Sequence, residues 1–291
     1  MVDSTDDNTT SKHGPGLYLV ATPIGNLGDI PPRALDLFRH ADVVACEDTR
    51  TTGRLLQRFG IKRHLVPYHE HNAERARPLL MAALAEGKSV ALASDAGTPL
   101  ISDPGYKLVR EATAGGFRVS TVPGPSSVIA ALTVSGLPTD RFYFAGFLPS
   151  KSGARAQAIA SIAAIDATLV MLESAQRLPA MLADFAAVFP SRPAAIAREL
   201  TKLHEEVRRG SLAELAAHYA EAGPPKGEIV VVVGPPDPTE SETATADSID
   251  RDLREALLTM RPSEAAASVA ARLGLPRKQV YARAMALKDE A

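Results

Sequence analysis

Short apolar runs alternate with helical patterns through the first half of the chain. The runs are Leu17–Ala21, Val43–Cys46, Leu65–Tyr68, Val90–Ala93 and Val119–Val122. Runs of this length, bounded by turn residues, read as strands of a buried sheet. Helix signals lie between them. Pro31 and Pro32 suit a helix start before Leu35 and Phe38, and Asn72 suits the cap of a helix carrying Leu79, Leu80 and Leu84. Pro104 suits the first helical position before Leu108 and Val109. Strand and helix in alternation predict a largely parallel α/β lobe over residues 16–136.

The rhythm changes after Gly136. Arg141–Phe147, Thr168–Leu172, Ala194–Ala197, Glu205–Arg208 and Glu228–Val233 read as strands, separated by two alanine-rich helices over Ser174–Phe189 and Ser211–Ala222. This predicts a second α/β lobe with a mixed sheet over 137–234, and two lobes imply a cleft. Residues 1–15 read as a loose tail. Residues 235–250, with three prolines, five acids and no base, read as an exposed linker. Three helices are expected beyond it, at Asp252–Thr259, Ser263–Leu273 and Arg277–Leu287, the last two joined at Leu273–Pro276 as in a helix-turn-helix.

Composition narrows the function classes. With 45% hydrophobic residues in 291, the chain can bury a sizeable core, and 32 basic against 34 acidic residues give no global positive field for nucleic acid. Residues 251–291 hold eight bases and five acids, so that small domain suits docking to protein or to nucleic acid about equally. The single cysteine, Cys46, sits in an apolar run and reads as a buried structural thiol. No apolar stretch approaches ~18 residues, and Met1–Gly14 carries three aspartates rather than a basic signal region, which makes the cytoplasm the expected location.

Candidate chemistry gathers where apolar runs end. The richest segment is Ala91–Gly105, ALASDAGTPLISDPG, in which a strand opens into a loop with two acids among glycines and prolines. In an open parallel sheet the carboxyl ends of the strands are where ligands bind. TPIGNLGD (Thr22–Asp29) allows close backbone approach but lacks the GxGxxG spacing of a nicotinamide site. EDTR (Glu47–Arg50) places two acids and an arginine after a strand, either as proton acceptors or as a helix cap. YHEHN (Tyr68–Asn72) offers two histidines, but in an extended segment alternate side chains point apart, which argues against a shared metal. VPGPSS (Val122–Ser127) starts a helix with two serines and has no nucleophile-elbow pattern. FLPSK, LES, ARELTK and PKGE repeat the placement of charge at strand ends.

Taken in order from about Leu17 to Gly234, these motifs closely resemble a family of bacterial small-subunit ribosomal RNA cytidine 2′-O-methyltransferases within the tetrapyrrole methylase superfamily. The resemblance implies a two-lobed tetrapyrrole-methylase-like fold, a homodimer, S-adenosylmethionine as methyl donor, no metal, and methylation of a cytidine ribose in the decoding region of 16S ribosomal RNA. It also implies a small helical domain at the C-terminus. By position in that family's fold, the donor is expected against Pro23, Ser94, Asp95, Ala96, Gly97, Ile101, Ser102, Ser126, Ser127, Leu172, Glu173, Arg198, Glu199, Leu200, Gly227, Glu228 and Ile229. TPIGN and AGTP stand where tetrapyrrole-modifying relatives have a glycine-rich loop and a GDP-type loop, which argues against a corrin or porphyrin substrate. Glu47, Asp48, His69, Asp95, Asp103 and Glu173 are candidate bases, with Glu47, Asp48 and Asp103 of the first lobe favoured. Arg50, Arg54, Lys151 and Lys202 are expected on RNA phosphates. Two rival functions stay open: methylation of a small molecule or protein residue, of tetrapyrrole or diphthine type, and a non-catalytic RNA-binding role in ribosome assembly.

Overall fold

A computed structural model describes residues 13–236, 249–258, 260–273 and 277–289. The first five strands are β1 (Gly16–Val20), β2 (Val43–Cys46), β3 (Leu65–Pro67), β4 (Ser89–Ala93) and β5 (Val119–Val122). They form an all-parallel sheet in the order β3-β2-β4-β1-β5. Four helices connect them: α1 (Pro32–His40), α2 (Thr49–Arg58), α3 (Ala73–Ala85) and α4 (Tyr106–Ala114). In α1 the stripe Ala34, Leu37 and Phe38, spaced three and four apart, is fully buried against the sheet. Cys46 is buried, and burial pushes its thiol up to about 11, as suits a structural residue.

Register explains why the motifs meet. Cys46 pairs with Ala93, and Ala93 with Val20, so three neighbouring strands end in one row. Thr22, Glu47 and Asp95 therefore leave the same edge of the sheet within a residue or two of it.

The next helix, α5 (Ser127–Ser135), follows the first sheet in sequence but packs on the second. Its Val128, Ala131 and Leu132 share a buried cluster with Val170, Ala195, Val230 and Val232, so the core of the second lobe begins before Gly136. That lobe holds β6 (Phe142–Phe147), α6 (Ser152–Ile162), β7 (Thr168–Ser174), α7 (Leu178–Val188), β8 (Pro193–Arg198), β9 (Glu206–Ser211), α8 (Leu212–Ala222) and β10 (Glu228–Val233). Its sheet is ordered β6-β7-β10-β8-β9; β6 runs parallel to β7, and the other pairs are antiparallel. Mixed strand direction is thus as expected. The antiparallel pairing of β10 with both β7 and β8 sets Ile229 beside Glu173 and Arg198, although these residues come from three separate motifs.

Several local expectations shift. Asn72 occupies the cap position of α3 but does not cap it; its side chain accepts from His69 N and donates to Pro67 O, closing the turn before the helix. Helix α4 begins at Tyr106 after Gly105, at φ +137°, so Pro104 lies outside it instead of at its first position. Helix α7 starts at Leu178 instead of Ser174 because β7 continues through Ser174. The expected tail is tied down at its end: His13 contacts Asp36 at 3.0 Å, and Tyr18 donates to Gly14 O at 2.8 Å. Helix α8 opens with a reciprocal capping box, Ser211 accepting from Glu214 N while the Glu214 carboxylate accepts from Ser211 N. Ser211→Ala is expected to lower stability by about 1 kcal/mol, read as a shifted midpoint in urea with an unchanged slope.

The residues cluster into two compact units, one running to Ala158 and from Thr168 to Gly234, the other combining Ile159–Ala167 with the chain beyond Pro235. In the second, α9 (249–257), α10 (Pro262–Leu273) and α11 (Arg277–Asp289) surround Leu253, Ala265, Ala266, Val269, Val280 and Ala284. Asp250 accepts from Arg283 Nε at 2.6 Å and helps hold the helices together. Helix α9 starts inside the expected linker, whose residues 237–248 lie outside the described ones, as do residues 274–276 of the expected turn. Among the described residues no helix is long and apolar enough to cross a membrane.

Candidate active site

A cleft of about 490 Å³ opens where the carboxyl ends of the first sheet face the second, a volume in the usual range of small-molecule sites. Its first-lobe wall is the loop after β4. Gly97 at φ +77°, Leu100 at +72° and Ser102 at +63° turn the backbone sharply, a conformation that is strained for the two residues carrying a Cβ. The loop is held from behind. Thr22 and Gly97 exchange backbone hydrogen bonds, Ser94 Oγ donates to Gly97 O at 2.6 Å, and Thr22 Oγ1 donates to Ser94 O at 3.0 Å.

Of the expected donor-site residues, Asp95, Ala96, Ile101, Ser102, Ser127, Leu172, Glu173, Leu200, Gly227, Glu228 and Ile229 line this cleft. Pro23, Ser94, Gly97, Ser126, Arg198 and Glu199 do not line it. Ser94 and Gly97 fasten the loop, and Ser126 caps α5. Arg198 pairs with Glu206 at 2.9 Å, and Glu199 accepts from Lys202 Nζ and from Glu228 N. Ile24, Phe147, Ser174, Ala175, Ala197 and Val230 line the cleft without having been singled out. Most are apolar, and nothing in sequence separates an apolar cleft residue from a core residue beside it.

The acids divide by environment. Asp48 caps α2 through Arg50 N and pairs with the Arg50 guanidinium, contacts that hold its carboxyl down to about 2. The cap reading of EDTR therefore prevails for this residue. Asp95 lines the cleft and accepts from Asp48 N at 3.0 Å, and burial raises its carboxyl. Glu173 is almost wholly buried; its Oε1 accepts from Ser174 N, while Oε2 accepts no aligned hydrogen bond although Arg177 stands 3.1 Å away. Asp103 is pushed up to about 7, chiefly by burial and further by Glu47 and Asp95, and its buried Oδ2 has no partner. Asp103 Oδ2, a buried carboxylate oxygen without a hydrogen-bond partner beside the cleft, marks a place that a ligand can complete.

A second cavity of about 660 Å³ adjoins the first, and Ser102 and Asp103 belong to both. Glu47 and His71 line the second one. His69 and His71 bring their rings within 6.1 Å, against the expectation that they diverge, because β3 ends at Pro67 and the segment is a turn rather than a strand. Among the described residues no cluster of three or more His, Cys, Asp or Glu is arranged to hold a metal. Of the cations expected on phosphate, Arg54 and Lys151 are exposed, and Arg50 is exposed but bound to Asp48. Lys202 is instead drawn into the cleft wall, 2.8 Å from Glu199 and 2.9 Å from Glu228, with its stem over Gly25.

Two α/β sheets with a carboxylate-lined cleft at their strand ends place the chain among α/β proteins with a ligand site, and it belongs to the Tetrapyrrole (Corrin/Porphyrin) Methylases, whose family model matches residues 16–216. Residues 242–288 match the RsmI C-terminal HTH domain. The protein named Ribosomal RNA small subunit methyltransferase I in Mesorhizobium japonicum is 54% identical, over 94% of this chain and 93% of its own. The protein of the same name in Escherichia coli O157:H7 is 43% identical, over 92% and 94%. Among solved structures, a diphthine synthase shares the fold with a TM-score of 0.59 at 20% identity, over 75% of this chain and 89% of that one. The uroporphyrin-III-C-methyltransferase of Thermus thermophilus gives 0.51 at 25%, over 75% and 93%.

Proposed function

We propose that this protein transfers a methyl group from S-adenosylmethionine to the 2′-hydroxyl of a cytidine in the decoding region of 16S ribosomal RNA. The observation that carries the substrate class is that relatives matching 94% and 92% of the chain bear the name of a small-subunit ribosomal RNA methyltransferase. The cleft suits the donor. Asp95, Glu173 and Glu228 complement a positively charged ligand, and Leu172, Leu200, Ile229 and Val230 offer apolar surface for a planar ring.

When bound, S-adenosylmethionine supplies a methyl group on a sulfonium centre, an electrophile that requires in-line approach of the acceptor. The chain has then to orient a hydroxyl and take its proton. Asp103 is placed for both tasks: it lines both cavities, its buried Oδ2 has no hydrogen-bond partner, and burial pushes its carboxyl up to about 7. Asp95 and Glu47 keep it there by adding negative charge to a partly desolvated pocket. Arg54 and Lys151 serve as contacts for RNA phosphates, which position a substrate without reading its sequence.

Mass-mapping of 16S ribosomal RNA from cells lacking the protein tests this. The expected result is the loss of one ribose methyl group at a cytidine, restored by the wild-type chain. An unchanged ribose methylation pattern would overturn the proposal.

A further inference from the structure

The second cavity adjoins the cleft assigned to the donor and is lined by groups of several kinds. It shares Asp103 with the donor cleft. Glu47, Glu70 and Glu74 also line it, and their carboxylates make no hydrogen bond or ion pair among the described residues. Tyr106, a residue 65% exposed, also lines it, and the Arg110 guanidinium lies 5.8 Å from its ring. Lys107 belongs both to this cavity and to a recess lined by Arg77, Arg110 and Glu111, the last paired with Arg77 at 2.7 Å. Carboxylate acceptors, an exposed aromatic and the adjoining cations Lys107 and Arg110 match the parts of one nucleotide: amine-bearing base, flat ring and phosphate.

Resting on the reading of the site as a ribose methyltransferase, we infer that this cavity receives the target base, turned out of its strand, and that Glu47 reads it by accepting from an exocyclic amine. Enzymes that act on a single nucleotide extrude it, and single-stranded bases are held by stacking on aromatic side chains and by their Watson–Crick edges. A carboxylate accepts from the N4 amine of cytosine and opposes the O4 carbonyl of uracil at the same place. Glu47 suits this task better than Glu70 or Glu74, because it is partly buried beside Asp103 whereas they are exposed. With the base there, the ribose falls at Asp103, between base and donor. Tyr106 supplies the stacking face, and Lys107 the contact to the flanking phosphate.

The test uses the full-length protein, labelled S-adenosylmethionine, and small subunits reconstituted with 16S transcripts carrying either cytidine or uridine at the methylated position. Wild-type protein is expected to favour cytidine in single turnover. Glu47→Gln, whose amide can donate as well as accept, should reduce that preference by roughly tenfold while calorimetric affinity for the donor stays within about twofold. Tyr106→Ala should raise the KM for the subunit without changing the cytidine preference, and Tyr106→Phe should restore it. A wild-type protein that methylates neither subunit removes the methyltransferase reading and this inference together. A wild type that methylates, with Glu47→Gln keeping the full cytidine preference or losing donor affinity, overturns this inference alone.

Discussion

Asp103→Asn is expected to slow single-turnover methylation by roughly 10²- to 10⁴-fold, the usual contribution of a positioned general base, with donor affinity nearly unchanged. The amide keeps the size and one acceptor oxygen of the carboxylate but cannot take a proton. The pH dependence has a defined sign. With the Asp103 carboxyl at about 7 in the free enzyme, kcat/KM for the donor should rise about tenfold per pH unit below that value and level off above it. Asp103→Asn should flatten this limb, whereas Asp48→Asn, which alters a helix cap outside both cavities, should keep it. Stability should move the opposite way. Because the folded carboxyl is raised above its ordinary 3.8, the native state holds the extra proton between about pH 4 and 7, and stability falls as pH rises through that window. Asp103→Asn should therefore be at least as resistant to urea as wild type at pH 8, with the difference vanishing near pH 4. A variant that loses stability at pH 8 along with activity would show that Asp103 is structural.

Gly227→Ala should cripple donor binding. Gly227 lines the cleft at φ +99°, where a side chain is strained, and an added Cβ would sit 2.5 Å from Glu199 Cδ. Glu199 has little freedom to retreat, because its Oε1 accepts from both Lys202 Nζ and Glu228 N. Either the Glu199–Lys202–Glu228 set breaks or the 227–229 backbone moves into the cleft. The expected cost is about 1–3 kcal/mol in stability, with at least a roughly tenfold loss of affinity for S-adenosylmethionine by calorimetry. Gly223 also has a positive φ, +75°, but meets nothing within 4 Å, so Gly223→Ala serves as the control for backbone strain without a clash. It should leave donor affinity untouched.

Much of the fold was legible because it is written locally. Val43–Cys46, Val119–Val122 and Glu228–Val233 coincide with their strands, since an apolar run between turn residues has few other ways to bury itself. The α8 cap at Ser211 is equally local. Expectations weakened where an alternative local bond competed, as at Asn72, which closes a turn instead of capping a helix, and at His69 and His71, where a strand had already ended. They weakened again where a helix adjoining one sheet found its core on the other, as α5 does.

The sequence alone determined the parallel first lobe, the mixed second lobe and the clustering of acids, glycines and prolines just past the strand ends. Periodicity and turn chemistry act over a few residues and need no knowledge of partners. Which acids share a cavity was decided by tertiary structure. Asp48 and Asp103 look alike as letters in two motifs, yet one is held down by Arg50 and the other is pushed up by burial beside Glu47 and Asp95. Ionisation depends on desolvation and on charges brought close in space. Those distances arise from the register of β1, β2 and β4, which sets Val20 and Cys46 beside Ala93 although they lie far from it in the chain.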